Sequence, residues 1–418
     1  MKLFAPTIFL AGSLLAFTAP ARAAGPLDGL PSDPGPHVEK LRALGADSWI
    51  DLGAPAADPE WGKARGRSYS SKMAAAPELG GALLCGTGVH GFVKPDGRFM
   101  DDLWFYDANR HRWICLYPGA SKETRLTLDE HGFEVTLDGE HNPVSYFSHA
   151  YNNLSYDADR KRLMLIYTHS PWWTKALPQR AEWLGIPADE LGPYKIGKLN
   201  NNVKHPIFWN VPENRWERKF VEDPGPAGGG RFESVLEYVP SMKKAFWVDS
   251  TGKPWLYDPS ANRWEDLDAP RTDRANVYSS VGCLDTKRNR VCVLSGKKFV
   301  AFDLAKNEWL DLAPGPENIG YVTRGQIDYD SAGDVVVAFS FFERDGQAPR
   351  GAHVFDPETN RWSRSSAEMP AANGNAVNAY YDRNLDAHIL HVAGDSRDDG
   401  VILAYRHGQR RRTKDGSP

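Results

Sequence analysis

Five times along the chain an aromatic residue stands seven positions before a tryptophan. The pairs are Tyr106 and Trp113, Trp209 and Trp216, Tyr257 and Trp264, Phe302 and Trp309, and Phe355 and Trp362. An acid or amide follows each aromatic residue: Asp107, Asn210, Asp258, Asp303 and Asp356. Four copies place an asparagine two residues before the tryptophan (Asn214, Asn262, Asn307, Asn360), and His111 fills that place in the first. Self-similarity of this kind constrains a fold more tightly than composition does. The local chemistry is that of a β-hairpin. Asp and Pro open a type I turn, and Asn or His tolerates the left-handed conformation that ends the loop. The aromatic residue and the tryptophan then lie on neighbouring strands, each able to bury a ring against the next unit.

A second hairpin precedes each of these. The clearest joins Leu154-Ser155-Tyr156-Asp157 to Arg162-Leu163-Met164-Leu165-Ile166, and residues 235–248, 325–339 and 377–392 hold similar pairs. Each unit therefore contains four short antiparallel strands, a to d, and units of about 45–50 residues read as propeller blades. The aromatic-Asp-Pro-x-x-Asn-x-Trp pattern resembles the second half of a Kelch repeat and covers nearly all the chain after residue 46. The paired glycines usual near the end of strand b in that family are absent; Cys85-Gly86, Ser295-Gly296 and Ala393-Gly394 stand there instead. The resemblance implies a divergent, six-bladed, all-β propeller.

Closure can be read from the chain ends. Val401 to Arg406 reads as a strand c with Tyr405 at the aromatic position, but Arg412 stands where tryptophan is expected. Trp49-Ile50-Asp51-Leu52 near the N-terminus resembles Trp264-Glu265-Asp266-Leu267 and supplies the missing strand. An N-terminal strand that completes the last blade removes the open edge a sheet otherwise presents.

Residues 1–23 read as a secretory signal, with Lys2, an apolar stretch from Leu3 to Phe17 and the small-x-small site Ala21-Arg22-Ala23. A lead-in spans 24–46, the propeller 47–406, and a polar basic tail 407–418. The expected location is secreted or periplasmic. No later stretch is long and apolar enough to span a membrane. With 50 Lys and Arg against 54 Asp and Glu, the balance excludes a typical nucleic-acid binder, and a monomer is expected. An oxidising compartment permits disulfides. If Asp285 faces Arg290, then Cys283 faces Cys292 directly across a hairpin, and a bridge between them is expected. Cys85 and Cys115 either pair or stay free.

The d-to-a and b-to-c loops of a propeller share one face. Two long insertions, 119–148 and 171–206, must project there, and long loops in compact domains often carry function. Trp172, Trp173, Lys204 and His205 in the second form a candidate wall for a sugar or an anionic polymer. The starts of the a strands add polar residues, among them Arg67, Ser70, Asn152, Asn276, Gln326 and Asn378, as a candidate ligand-binding ring. His149, Tyr151 and Glu233 suit acid or base roles, with Arg231 and Arg324 placed to hold a carboxylate. The Kelch resemblance admits sugar-acid epimerases and galactose-oxidase-like enzymes. However, His90, His141, His149, His169 and His205 show no compact ligand spacing, so neither a metal nor a cofactor is assigned. Two readings follow: a binding propeller for a glycan or protein ligand on the insertion face, or a carbohydrate-active enzyme (epimerase, lyase or oxidase) for an acidic sugar.

Overall fold

The computed structural model describes residues 25–86, 94–98, 100–121, 123–124, 126–128, 134–136, 150–166, 205–222, 225–226, 235–249, 251–272, 280–316, 326–341, 350–372, 374, 376–395 and 397–408. Six four-stranded antiparallel sheets stand in a ring, making a six-bladed β-propeller. Blade 1 lies within 74–117, blade 2 within 154–218, blade 3 within 235–266, blade 4 within 281–311 and blade 5 within 327–364. Blade 6 takes strands a to c from 376–406 and its outer strand from Ser48–Gly53. The innermost strands are Ala74–Ala76, Leu154–Asp157, Val235–Val239, Val281–Asp285, Ile327–Asp330 and Ala376–Asp382, each beside the next around the axis. A further two-stranded hairpin, Leu126–Leu128 with Glu134–Thr136, lies inside the first insertion.

The repeat chemistry appears as the sequence predicts. Each aromatic residue pairs directly with its tryptophan: Tyr106 with Trp113, Trp209 with Trp216, Tyr257 with Trp264, Phe302 with Trp309 and Phe355 with Trp362. Ring centroids in these pairs lie between 5.0 and 5.3 Å apart, the range of favourable tilted and edge contacts. His111, Asn214, Asn262, Asn307 and Asn360 all have φ between 50° and 59°, the left-handed turn position assigned to them. The carboxylates that open these loops accept backbone N–H groups two or three residues on, as Asp258 does from Ser260 at 2.8 Å.

The core is six wedges, one between each pair of adjacent blades. Both faces of a blade are therefore covered. That is why the second strands hold continuous apolar runs, such as Leu163-Met164-Leu165-Ile166 and Val335-Val336-Val337-Ala338-Phe339, with every residue buried.

Closure uses the two ends of the chain. Trp49 pairs with Tyr405, ring centroids 4.7 Å apart, reproducing at the seam the pair that each other blade makes within itself. Asp47, just before this strand, accepts hydrogen bonds from the Tyr405 hydroxyl at 2.7 Å, the Ser366 hydroxyl at 3.0 Å and the Ser365 hydroxyl. Partial burial pushes the Asp47 carboxyl up, but these donors outweigh it and hold it below its ordinary value. Arg406 ends the last strand, almost fully buried. It donates to the carbonyls of Leu385 and Asp386, both at 2.8 Å, and to those of Arg42 and Leu44. The lead-in is fastened as well: helix Pro36–Arg42 has proline at its first position and seats Val38 and Leu41 in the wedge between blades 6 and 1.

One expectation needs correction. Cys283 does face Cys292 across the hairpin, and Asp285 does face Arg290. The two thiols are nevertheless free, as are those of Cys85 and Cys115, and all four are buried. Burial raises the Cys283 thiol well above its ordinary value, and a hydrogen bond with Cys292 adds to that. Opposed positions bring two thiols into contact without requiring a bond, and within the apolar wedge between blades 4 and 5 they pack as small apolar groups.

Deleting residues 47–53 should lower the melting temperature of the whole ring, and Trp49→Ala should cost about 3 kcal/mol in denaturant unfolding. A truncated protein that melts unchanged would refute the closure. Asp47→Asn should lose about 1 kcal/mol at pH 7. Because the folded carboxyl is held below its unfolded value, that difference should persist down to about pH 4 and vanish only at more acid pH; a difference that grows on acidification contradicts the assignment. Titration with a thiol reagent should find all four thiols unreactive in the native protein and four reactive on denaturation without reductant. Fewer than four would restore a disulfide.

Candidate functional site

A knot of amide side chains crosses the axis of the ring. Asn152, at the start of the inner strand of blade 2, donates through Nδ2 to Gln326 Oε1 of blade 5 at 2.9 Å. Its Oδ1 accepts the N–H of Gly282 in blade 4 at 3.2 Å, its carbonyl accepts the N–H of Leu236 in blade 3 at 3.1 Å, and Nδ2 also reaches the Ser71 hydroxyl at 3.4 Å. One residue thus ties its own blade to four others. Strand starts at a propeller axis expose backbone groups that have no ladder partner; the Asn152 amide oxygen takes one of them, the Gly282 N–H, and the amide nitrogen spends its donors on the Gln326 and Ser71 side chains.

Towards the side of the a-to-b turns the axis opens into a cavity of about 280 Å³. Lys72, Glu237 and Asp328 supply the charge within it, Arg383 stands at its mouth, and Tyr156, Tyr329 and Tyr381 are among its aromatic lining. The tyrosines are fixed by their hydroxyls: Tyr156 donates to Glu78 at 2.5 Å, Tyr329 to Asp334 at 2.9 Å and Tyr381 to Asp386 at 2.7 Å. Lys72 reaches from blade 1 to blade 3, where Nζ meets Glu237 Oε1 at 2.5 Å and the Leu236 carbonyl at 2.9 Å. Burial lifts the Glu237 carboxyl above its ordinary value against the pull of the Lys72 ammonium, and the Asp328 carboxylate adds to the lift. Asp328 is satisfied differently. Its Oδ1 accepts one long bond from Gln326 at 3.4 Å, and its buried Oδ2 accepts none. His388 Nδ1, on the second strand of blade 6, stands 3.8 Å from that oxygen, and both nitrogens of this fully buried ring are without hydrogen-bond partners.

This cavity opens on the face opposite the insertions, because strands alternate in direction and the a-to-b turns emerge at the other end from the d-to-a loops. Several of the polar strand starts expected to ring the insertion-side mouth are buried and bonded inside the protein. Arg67 has no exposed surface and pairs with Asp102 at 2.7 Å, which Lys94 at 3.1 Å and the Trp104 indole at 2.7 Å also contact. Burial raises the Asp102 carboxyl, but Arg67 and Lys94 prevail and hold it low, while burial pushes neighbouring Asp101 up to about 7. Asn378 is also fully buried; its Oδ1 accepts the Arg67 N–H at 3.2 Å, and its Nδ2 donates to the Ser70 carbonyl.

Of the other expected site residues, Tyr151 lies buried beside blade 1. Its φ is 45°, and its backbone accepts from Ser71 N–H at 3.1 Å and donates to the Tyr69 carbonyl at 2.8 Å. His205 accepts the Val221 N–H on Nδ1 at 3.1 Å and packs on Phe220. His149, Trp172, Trp173, Lys204, Arg231, Glu233, Asn276 and Arg324 lie outside the described residues.

Sequence reasoning passed over Lys72, Glu237, Asp328 and His388. A usable signal was present. Ser155, Glu237, Cys283, Asp328 and Tyr380 occupy one register, two residues before the last paired residue of their inner strands, and all line the cavity. Polar or ionisable groups at one register of five inner strands mark a shared axial surface. Among the described residues, no group of three or more His, Cys, Asp or Glu is placed to hold a metal ion, and no helix is long and apolar enough to cross a membrane.

No protein-family model matches the chain, the Kelch family included, and no curated protein matches it. Among solved structures, a structural-genomics protein of unknown function from Bacteroides thetaiotaomicron VPI-5482 is similar over 87% of this chain and 73% of its own. The identity is 8% and the TM-score 0.45, a distance at which nothing about function carries across.

Proposed function

We propose that this chain is an exported, Kelch-like propeller that works by binding, and that a sugar residue of a glycan enters its axial cavity. The carrying observation is the cavity itself: about 280 Å³ at the axis, with tyrosine walls around Lys72, Glu237 and Asp328. Its volume is near the lower end of small-molecule sites, roughly 300–1,000 Å³. Flat aromatic walls suit the apolar face of a pyranose, and charged groups set between them suit its hydroxyls. Export rests on the N-terminal signal pattern, and the Kelch relation on the repeat motif. The insertion face, with Trp172, Trp173, Lys204 and His205, is the competing place for a glycan or protein ligand.

Glycan-array binding separates the two faces. Ala158 is exposed on a turn at the mouth of the cavity, and Ala158→Trp should obstruct entry without touching a blade interface. It should weaken glycan binding by at least about tenfold, while a double variant Arg231→Ala, Arg324→Ala, aimed at the pair expected from the sequence on the insertion side, binds normally. Loss confined to the double variant would move the site to the insertion face. Wild-type protein that retains no glycan on the array would refute a glycan ligand.

A further inference from the structure

We infer that the axial cavity recognises the ammonium group of an amino sugar, with Asp328 as its counter-ion. The inference rests on the reading of the cavity as a sugar site and names the class of sugar it takes. Three observations lead to it. First, the two buried acids of the cavity are not equivalent. Glu237 is neutralised by Lys72 at 2.5 Å, whereas Asp328 has no cation within hydrogen-bond reach and only one long bond, from a neutral amide. A carboxylate that is 8% exposed needs a charged partner or several good donors, and within hydrogen-bond distance the fold supplies only the Gln326 amide, with the His388 ring 3.8 Å from the other oxygen. Second, Asp328 lines the cavity, and since Oδ2 is buried against His388, Oδ1 is the oxygen left for a ligand to meet. Third, the adjoining walls include the tyrosines of blades 5 and 6, Tyr329, Tyr380 and Tyr381, and aromatic faces attract a cation held beside them.

The remaining cations around Asp328 do not fill the role. Lys72 is occupied by Glu237 and the Leu236 carbonyl. Arg383 stands on an exposed turn at the mouth, in solvent that screens it. His388 approaches to 3.8 Å, beyond hydrogen-bond distance, and is buried behind Asp328 among Phe339, Tyr381 and Tyr405. A ligand ammonium in the cavity can take the accepting capacity that Gln326 leaves unused on Asp328.

Titration calorimetry on the full chain with D-glucosamine, N-acetyl-D-glucosamine, D-glucose and n-butylamine tests this. Glucosamine should bind at least about tenfold more tightly than its N-acetyl derivative, in which the amide removes the charge, and than glucose. Asp328→Asn should erase that preference. Equal binding of the three sugars overturns the ammonium assignment and leaves the sugar site standing. Butylamine binding as tightly as glucosamine upholds the ammonium assignment and overturns the sugar reading. Failure of all four to bind overturns both. The comparison among ligands needs only wild-type protein, so it decides the matter even if Asp328→Asn does not fold.

Discussion

Each blade of this protein is apolar on both faces, and only another blade can cover an apolar blade face. That constraint governs the rest. Four strands with two buried faces cannot stand alone, a row of blades leaves two faces in water, and only a closed ring leaves none. The ring is consequently as strong as its seam. The seam repeats the internal rule of the other blades, an aromatic residue opposed to a tryptophan, with Tyr405 and Trp49 contributed by opposite ends of the chain. Asp47 and Arg406 then fix the join with directional bonds that a purely apolar contact lacks.

The axis obeys a different rule. There the inner strands converge, backbone groups lose their ladder partners, and polar side chains must replace them. Asn152 ties its own blade to four others in this way, through side-chain bonds to Gly282, Gln326 and Ser71 and a backbone bond to Leu236. The Arg67–Asp102 and Lys72–Glu237 pairs bury charge in matched form, which an interior tolerates only when both members stay. Asp328 has no such match within hydrogen-bond distance, and it stands in a cavity wall.

The two faces are unlike for the same reason. On the insertion side, the described polar strand starts are tied up in the knot and in the Arg67 cluster. On the turn side the polar residues surround empty volume. A ring of polar side chains at strand starts is therefore an ambiguous signal: it describes a binding mouth and a structural plug equally well. Which one forms depends on whether the groups reach one another across the axis.

Much of the fold was legible in the sequence because its determinants are local. The spacing of Tyr257 and Trp264 sets a hairpin, Asn262 sets its left-handed turn, and repetition of that unit sets the blade count. Trp49 could be assigned to the last blade because a copy of the motif lacked its tryptophan. The site was less legible. Asn378 reads as a ligand contact along the chain, but in three dimensions it holds Arg67 and Ser70. Cys283 and Cys292 read as a bridge because register brings them opposite, yet register sets proximity and not bonding. Glu237 and Asp328 read alike as acids within inner strands. Their difference arises because Lys72, from another blade, crosses the axis to one and not to the other. The sequence by itself determined the blade, its repetition and its closure, all of which follow from short-range pattern and strand pairing. Only the tertiary structure decided which polar groups meet, because contacts across a ring axis join residues far apart in the chain, and no periodicity records them.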